Sequence, residues 1–249
     1  MHIELPRDAS LDGHLVDGAI GYLTLTTGIA FAAALAFLAA TLVLHRARAG
    51  RTWGQHTHGN RRRDRALMFA VTLILFVAID VTLALRATRD LDQRFWRYPE
   101  GDPAALRVEV TARQWAWTFR TAGPDGRFGT PDDVVTLNEL DVPVDHPVYL
   151  KLHSSDVVHS LYLPNFRIKI DAIPGMTTRA WVQATTPGRY EVGCAQHCGV
   201  NHYKMRGLLI ARAADDYAEW LARAETDSRL RHDPAAPSEG GAWSWETGK

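Results

Sequence analysis

The sequence predicts two membrane-spanning helices that form a hairpin, followed by an all-β domain. Two long apolar stretches lie in the first third of the chain, at residues 18–44 and 66–85. From residue 106 onward the pattern changes to short alternating runs separated by turn signals, which is typical of antiparallel β-sheets. The chain has two cysteines, Cys194 and Cys198, and both lie late in this second region. These observations favour a membrane-anchored protein whose chemistry resides in the β-domain.

The first apolar stretch, residues 18–44, follows an acidic tail at residues 1–17. It is longer than the roughly 20 residues that an α-helix needs to span a bilayer. A cleaved signal peptide would need a basic leader and a shorter apolar core, so we predict a retained helix. Its small residues suit close packing against another helix, although an alanine-rich helix that faces lipid would have the same composition.

The segment between the apolar stretches, residues 45–65, is rich in arginine and contains one acid, Asp64. By the positive-inside rule this loop is cytoplasmic, and both ends of the hairpin, residues 18–86, lie outside. The sequence therefore predicts a multi-pass protein of a bacterial-type cytoplasmic (inner) membrane, in contact with lipid, with its β-domain on the outer, periplasmic face. The formal net charge is zero, and no nucleic-acid partner is predicted.

The second apolar stretch contains an acid, Asp80. A carboxylate inside a membrane helix is costly and usually faces protein or water. We expect Asp80 to form a hydrogen bond with a partner subunit, and simple reach to the outer interface is the alternative. The linker that follows, residues 87–105, contains an aromatic cluster that suits either the membrane surface or a packed patch under the outer domain.

The β-domain is predicted to span residues 106–225. Short strands at this spacing favour a sandwich or a small barrel. The predicted strands are residues 108–110, 115–119, 134–140, 148–153, 178–185, 190–193 and 205–211. A helix is predicted at residues 215–224, where apolar residues have helical spacing and acids lie at the start. The tail, residues 226–249, is rich in proline, glycine and charge, and we predict that it is disordered.

A short segment near the end of the β-domain, residues 194–205, contains both cysteines together with His202 and Met205. Sulfur ligands combined with imidazole select copper over harder metals. Two cysteines four residues apart can bridge two metal atoms, and a bridged copper pair shares its unpaired electron. Gain or loss of charge then moves the ligands very little, which suits electron transfer.

Other interpretations of this segment explain fewer of its residues. A disulfide between Cys194 and Cys198 would leave His202 and Met205 without a role. Structural zinc normally has a second pair of Cys or His ligands and does not use methionine. A mononuclear blue copper site uses a single cysteine. The haem-attachment pattern Cys-x-x-Cys-His is absent from the sequence. The segment therefore favours binuclear copper.

A binuclear site needs a second imidazole, and His159 is the best candidate. His153 and His146 lie nearby and compete with it. His153 falls at an outward position of the predicted strand 148–153, which favours a solvated residue. His197 lies between the cysteines, and its side chain would point away from the metals if both cysteines face them.

These motifs resemble subunit II of the haem-copper respiratory oxidases, the cytochrome c oxidase family. The resemblance extends from the first apolar stretch to about residue 225. It is carried by Cys-x-Gln-x-Cys-x-x-x-His-x-x-Met at 194–205, Asp-Val-Val-His-Ser at 156–160, Lys-Ile-Asp-Ala-Ile-Pro-Gly at 169–175 and Gln-Trp-Ala-Trp at 114–117.

The resemblance implies a cupredoxin-like Greek-key sandwich with a binuclear copper A centre in loops at one end. Electrons from cytochrome c or a similar soluble carrier would enter at Trp115 and pass to haem in the catalytic subunit I, which residues 169–175 would face. Oxygen reduction would take place in that subunit, so this chain would supply no catalytic residue. The implied copper ligands are His159, Cys194, Cys198, His202, Met205 and the main-chain carbonyl of Gln196.

Two departures from the family pattern limit what the resemblance implies. Many members have glutamate in place of Gln196, where the carboxylate helps to bind magnesium at the subunit interface. An amide is a weaker ligand, which weakens the case for that ion. The usual Glu-x-x-Trp-Thr opening of the second membrane helix is also missing, and Asp64 is better explained as a charge balanced by flanking arginines. A copper A subunit of a nitric oxide reductase and a membrane-tethered copper-binding protein remain alternative functions.

Acids of the outer domain are predicted to form a negative surface that attracts a basic donor such as cytochrome c. Ordinary solvated acids are the alternative. Three of them lie in the segment 123–133, a predicted hairpin tip that lacks the bidentate glutamate of a calcium loop. The acids of the predicted surface are Asp125, Asp132, Asp133, Glu139, Asp141 and Asp156.

Overall fold

The computed structural model describes residues 5–46, 61–123 and 125–231, without the side chains of residues 229–231. Most of the cytoplasmic loop predicted at residues 45–65 therefore lies outside the described residues. The chain divides into two compact units, which we treat separately. One unit is helical, Leu15–Arg94, and the other combines Met1–His14 with Phe95–Lys249.

The helical unit contains two long apolar helices, α1 (Gly13–Leu44) and α2 (Arg62–Phe95), of 32 and 34 residues. Both are longer than the roughly 20 residues needed to cross a bilayer. Their large apolar side chains are mostly exposed, as Phe37 (72%) and Phe69 (68%) illustrate. Such helices cannot remain in water, because exposed apolar surface of this extent needs lipid or another protein. Both helices are therefore long and apolar enough to cross a membrane, as predicted.

Helix α2 continues beyond the predicted apolar stretch, so that residues 87–95 of the predicted linker are helical. The sequence there contains arginine, leucine and glutamine and no glycine or proline, and these residues sustain a helix. Two segments of α2 are π-helical, Phe76–Val81 and Leu91–Phe95. The Thr82 hydroxyl donates to the carbonyl of Val77 at 2.9 Å, beside Asp80 in the first π-helical segment.

The two helices meet near this π-helical segment. The Tyr22 hydroxyl of α1 donates to the carbonyl of Ala78 in α2. The guanidinium of Arg86 lies 5.0 Å from the centre of the Tyr22 ring, close enough for a cation–π contact. These contacts join the two helices as a hairpin. The predicted contact between Asp80 and a partner subunit stays a prediction.

The second unit is a sandwich of two five-stranded sheets, with strand orders β3-β2-β1-β5-β8 and β4-β10-β9-β6-β7. Most neighbours are antiparallel, but β1 pairs with β5 and β4 with β10 in parallel. The strands are β1 (Leu106–Arg113), β2 (Ala116–Thr121), β3 (Val134–Leu137), β4 (Glu139–Pro143), β5 (Pro147–Ser154), β6 (His159–Leu163), β7 (Ile168–Ala172), β8 (Thr178–Gln183), β9 (Gly188–Cys194) and β10 (Arg206–Arg212).

The core of the sandwich follows from alternation along the strands. In β1, Val108, Val110 and Ala112 are completely buried, and Leu150 and Leu152 are buried beside them in β5. Burial of each such valine or leucine contributes about 1.5–3 kcal/mol to folding. The larger core side chains include Trp117, Phe119, Leu161, Leu163 and Leu209. The predicted sandwich is therefore confirmed.

The N-terminal tail is attached to this sandwich. The Ala9 N–H donates to the carbonyl of Asn165 at 2.9 Å, and the Thr185 N–H donates to the carbonyl of Ala9 at 2.8 Å. The Leu11 N–H donates to the carbonyl of Gln183 at 3.0 Å, so the tail extends the edge of β8. The chain segments that precede α1 and follow α2 thus belong to one packed body.

The structure differs from several predicted elements of this unit. The single strand predicted at 134–140 is two strands in different sheets, because Asn138 has a positive φ of 57° and turns the chain between them. Strands β6 and β7 were not predicted. Helix α3 (Ala214–Arg231) is longer than predicted, and residues 226–231 of the predicted disordered tail belong to it. Residues 232–249 lie outside the described residues.

Candidate metal centre

Several loops meet at one end of the sandwich, and backbone hydrogen bonds fix their positions. The Cys194 N–H, at the end of β9, donates to the carbonyl of Met205 at 3.2 Å. The Ala195 N–H donates to the carbonyl of Ser160 at 2.9 Å, which joins the β9–β10 loop to β6. Since His159 is the first residue of β6, sheet pairing brings its imidazole beside residues 35 positions away.

The two thiol sulfurs form the middle of the site. The Sγ atoms of Cys194 and Cys198 lie 3.7 Å apart. Nδ1 of His159 lies 3.9 Å from Sγ of Cys194, and Nδ1 of His202 lies 3.6 Å from Sγ of Cys198. The Sδ atom of Met205 lies 3.8 Å from Sγ of Cys198 and 3.2 Å from Nδ1 of His159. The five predicted side-chain ligands therefore converge on one site.

The carbonyl of Gln196 also points into the site, 3.2 Å from Sγ of Cys194. The Gln196 residue itself is exposed, so the main chain rather than the amide contributes here. His159, Cys194 and Cys198 form the only group of three or more His, Cys, Asp or Glu side chains with mutually close ligand atoms in the described parts of the chain. The acids of segment 123–133 do not form such a group among the described residues.

The cysteines are not joined in a disulfide. Their sulfurs lie 3.7 Å apart, whereas a disulfide bond is about 2.05 Å long, and both cysteines are free. Burial, together with the neighbouring Cys194, raises the pKa of the Cys198 thiol. The thiolate is the form that binds metal, so a bound cation would displace these protons. Two thiols, a thioether and two imidazoles form a soft set of ligands that fits copper.

A carboxylate orients the His159 ring. Nε2 of His159 donates to Oδ1 of Asp156 at 2.8 Å, which leaves the Nδ1 lone pair directed at the sulfurs. Burial would raise the pKa of Asp156, but hydrogen bonds from the Gln114 N–H, the His159 ring and the Val157 N–H hold that pKa below its usual value. Carboxylates behind ligating histidines fix the ring orientation and strengthen the ligand. The sequence analysis missed this role, although the Asp-x-x-His spacing could have indicated it.

Trp115 is packed against the loop that contains the cysteines. A Cβ atom at Gly199 would lie 3.3 Å from Nε1 of Trp115 and 2.8 Å from Nε2 of Gln114. Gly199 also has a φ of +120°, which side chains rarely adopt. Nε2 of Gln114 donates to the carbonyl of Cys198 at 2.7 Å. The Trp115 loop thus contacts the segment that holds the sulfurs.

The competing histidines lie elsewhere. Nδ1 of His146 lies 2.9 Å from the carbonyl of Val144. His153 is half-buried rather than solvated, and Nε2 of its ring lies 3.4 Å from the Thr111 hydroxyl. Burial lowers the pKa of His153. His197 is exposed, as predicted, and its ring centre lies 5.5 Å from that of His202.

The predicted acidic surface is wrong for three of its six residues. Asp132 and Asp133 are each 8% exposed and Asp141 is 1% exposed. Asp133 lies 3.9 Å from Arg120, and Asp141 lies 2.6 Å from Arg212. Asp133 and Asp141 thus form internal ion pairs rather than a surface, because buried carboxylates require charged or hydrogen-bonding partners.

Comparison with known proteins agrees with this geometry. The family described as "Cytochrome C oxidase subunit II, periplasmic domain" matches residues 106–211. The alternative cytochrome c oxidase subunit 2 of Bradyrhizobium diazoefficiens is 38% identical, over 51% of this chain and 53% of that protein. Cytochrome c oxidase subunit 2 of Synechocystis sp. is 35% identical, over 47% of this chain and 32% of that protein.

A solved structure is also similar. The periplasmic domain of subunit II of cytochrome oxidase from Bradyrhizobium japonicum is 26% identical and has a TM-score of 0.44, over 49% of this chain and 94% of that one. The chain spans about half the length, or less, of the two curated relatives described above. The family match at residues 106–211 nevertheless spans the strands of the sandwich that carries the ligands. Residues 106–211 are therefore similar to the periplasmic domain of the cytochrome c oxidase subunit II family.

Proposed function

We propose that this chain is the electron-transfer subunit of a terminal respiratory oxidase, a cytochrome-c oxidase in which a partner subunit reduces oxygen. One observation carries the proposal. Two free thiols lie 3.7 Å apart, each with an imidazole nitrogen within 4 Å, and a thioether lies beside them. A metal–thiolate bond is about 2.3 Å long, so both sulfurs can bind the same metal atom from these positions.

The proposed cofactor is a pair of copper ions. Cys194 and Cys198 would bridge the pair, with His159 and His202 as the imidazole ligands on either side. Met205 and the carbonyl of Gln196 would complete the set. When bound, this centre accepts and releases single electrons while both metals share the charge. The proposal needs no magnesium ion, since Gln196 offers an uncharged amide in place of a carboxylate.

The chain's own residues would guide and shield the electron. Trp115 is half-buried against Gly199, so its conjugated ring lies between solvent and the loop that contains the cysteines. We propose that electrons from a soluble carrier such as cytochrome c enter at this ring. Asp156 keeps the His159 ring in one orientation, so that a change of charge moves the ligands little. Residues 169–175 would face the catalytic subunit I, which contains the haem.

The two apolar helices would anchor the chain in a bacterial-type cytoplasmic membrane, in contact with lipid and with the catalytic subunit. The tail before α1 pairs with β8 of the sandwich, so both lie on one side of the membrane. This arrangement supports a hairpin that crosses twice, with the copper domain on the periplasmic face and the arginine-rich loop on the cytoplasmic face.

Electron paramagnetic resonance of the full-length, copper-loaded chain tests the proposal. We expect hyperfine splitting from two equivalent copper nuclei that share one unpaired electron. Splitting from a single nucleus would contradict it. The purified complex should also consume oxygen with an electron donor present. A preference for nitric oxide would instead identify the reductase alternative, and copper that exchanges freely without a haem-containing partner would identify a copper-binding protein.

A further inference from the structure

The end of the sandwich that carries the ligands is poor in acids. Four loops surround the site there, residues 113–116, 155–158, 173–177 and 195–205. All of their residues are described, and they contain two bases, Arg113 and Lys204, and one acid, Asp156. The formal charge of these loops is therefore positive, apart from the histidines.

The single acid is directed inward. Oδ2 of Asp156 accepts from the Gln114 N–H at 2.6 Å, and Oδ1 accepts from the Val157 N–H at 2.6 Å and from the His159 ring at 2.8 Å. The charge of the Asp156 carboxylate is thus stabilised by three hydrogen-bond donors within the site. By contrast, neither Arg113 nor Lys204 forms an ion pair with any described residue, and both are exposed.

Other acids of the sandwich do not reverse this balance. Four are buried: Glu109, Asp132, Asp133 and Asp141. Glu191 and Asp171, which lie closer to the loops, are each paired with a base: Glu191 lies 3.5 Å from Arg206, and Asp171 lies 3.2 Å from Lys169. Glu139 is half-buried near Asp141, whose pKa is raised first by burial and then by the Glu139 side chain.

The same loops expose apolar side chains. Val200 is 81% exposed and directly follows Gly199, the residue packed against Trp115. Tyr203 is 66% exposed, and Nζ of Lys204 lies 5.5 Å from the centre of its ring. We call Arg113, Trp115, Val200, Tyr203 and Lys204 the docking patch. It combines apolar contact area with two cationic side chains.

We infer that the docking patch receives an electron-carrier protein whose own contact face is apolar and bordered by carboxylates, rather than one that presents a ring of lysines. The inference rests on the proposed function. Opposite charges on two surfaces accelerate encounter, and like charges slow it. The apolar centre suits a short-lived complex, because electron-transfer encounters bury little surface and must dissociate after each transfer.

Two probe proteins test this inference on the purified oxidase complex: a c-type cytochrome with an acidic contact face and one with a lysine-rich face. We expect kcat/KM for the acidic cytochrome to exceed that for the basic one by about tenfold or more at low salt. Its rate should fall as salt rises, because screening removes the attraction. Faster turnover of the basic cytochrome at low salt would overturn the inference.

Charge reversal localises the effect. Arg113→Glu and Lys204→Glu should each lower kcat/KM for the acidic cytochrome several-fold and raise it for the basic one. Arg189→Glu is the matched control, since this exposed arginine lies at the opposite end of β9 from Cys194. Equal effects of all three reversals, or no effect of the first two, would overturn the inference.

A small-molecule reductant separates this inference from the proposed function. Each rate with a cytochrome is divided by the rate with a small neutral reductant, which needs no protein docking. If the wild-type complex consumes no oxygen with the small reductant, the proposed function fails. If it does so but the normalised rates do not follow the charge of the cytochrome, only the docking inference fails.

Discussion

Single residues decide what the metal site can hold. Cys194 and Cys198 occupy its centre, and each has its own imidazole, His159 and His202. A bound copper pair, as proposed, would therefore have two halves that share the sulfur atoms. A thiol at each shared position is required to hold two metal atoms together, whereas one thiol with one imidazole and a thioether would suit a single copper atom.

Replacement of one shared sulfur should halve the metal content. We expect Cys198→Ser to bind one copper atom per chain, because a serine hydroxyl is a poor ligand for a soft metal. Elemental analysis and the hyperfine pattern of the full-length chain measure this. Tyr162→Phe, at an exposed position of β6, should retain both atoms. Two copper atoms in Cys198→Ser would show that the sulfur does not bridge.

The Asp156 carboxylate should contribute to copper affinity without touching the metal. In Asp156→Asn the amide is a weaker acceptor for the His159 ring, so the imidazole is less firmly oriented. Loss of such a partner typically lowers metal affinity about 10–100-fold. Competition with a copper chelator measures the change. Asp125→Asn removes an exposed acid outside the site and should have no effect. An unchanged affinity of Asp156→Asn would contradict this role.

How well the site residues could be predicted depends on how far apart they lie in the sequence. The ligands within residues 194–205 could be predicted, since one short loop contains them. His159 required a choice among several histidines, and sheet pairing between β6 and β9 makes that choice. Burial of Asp133 and Asp141 could not be predicted, because each depends on an arginine of another strand, Arg120 or Arg212.

A few residues with unusual backbone conformations set where the strands begin and end. Asn138 separates β3 from β4 with a φ of 57°. Its side-chain oxygen accepts from the Trp117 N–H at 2.8 Å, and its own N–H donates to the Trp117 carbonyl at 2.7 Å. The alternating apolar residues on both sides predict one strand, because alternation does not reveal a change of sheet.

Asn138→Ala should therefore destabilise the sandwich more than Asn138→Gly. Both lose the hydrogen bond to the Trp117 N–H, at about 1–3 kcal/mol for a donor left unsatisfied. Alanine adds about 1–2 kcal/mol for the left-handed conformation, which glycine adopts freely. Thermal unfolding of the full-length chain in detergent compares the unfolding midpoints of the two variants with that of the wild type. Equal midpoints for the two variants would show that backbone strain contributes nothing here.

Pairing between elements was the least predictable property of the fold. The sequence predicts antiparallel neighbours, yet β1 and β5 run parallel, as do β4 and β10. Both parallel pairs join strands far apart in the chain, and local patterns cannot specify such contacts. Helix α2 is longer than the predicted apolar stretch. Hydropathy identifies only the residues that suit lipid, whereas residues with good helix propensity continue to Phe95.

The charges of the molecule as a whole sum to zero, but their environments differ strongly. Burial raises the pKa of Glu109, Asp133 and Asp141 in the sandwich. By contrast, the half-exposed Asp171 lies 3.2 Å from the Lys169 ammonium, which makes an ion pair with it. The buried acids bind protons more tightly in the folded state than in the unfolded chain. The stability of the whole unit should therefore decline as pH rises through their range.

Glu109 should contribute most clearly to this decline. Glu109 is 4% exposed, and this burial is the main cause that raises its pKa from 4.5 to about 7. The Arg120 guanidinium, 3.5 Å away, and Lys151 lower the pKa, whereas the charge of Asp133 raises it further. Between about pH 4.5 and 7 the folded state holds a proton that the unfolded chain has released, so the free energy of unfolding falls across this window and is constant above it. The loss is at most about 3 kcal/mol.

Glu109→Gln keeps the shape of the side chain and cannot ionise, so its unfolding midpoint should fall less than that of the wild type between pH 5 and pH 8. The difference between the two proteins should grow with pH, with the variant more stable above neutrality. Glu191→Gln, at an exposed position, should follow the wild type throughout. If the unfolding midpoint of Glu109→Gln falls with pH as much as that of the wild type, Glu109 is not the cause. The pH dependence would then belong to Asp133 and Asp141, the other acids whose pKa is raised by burial.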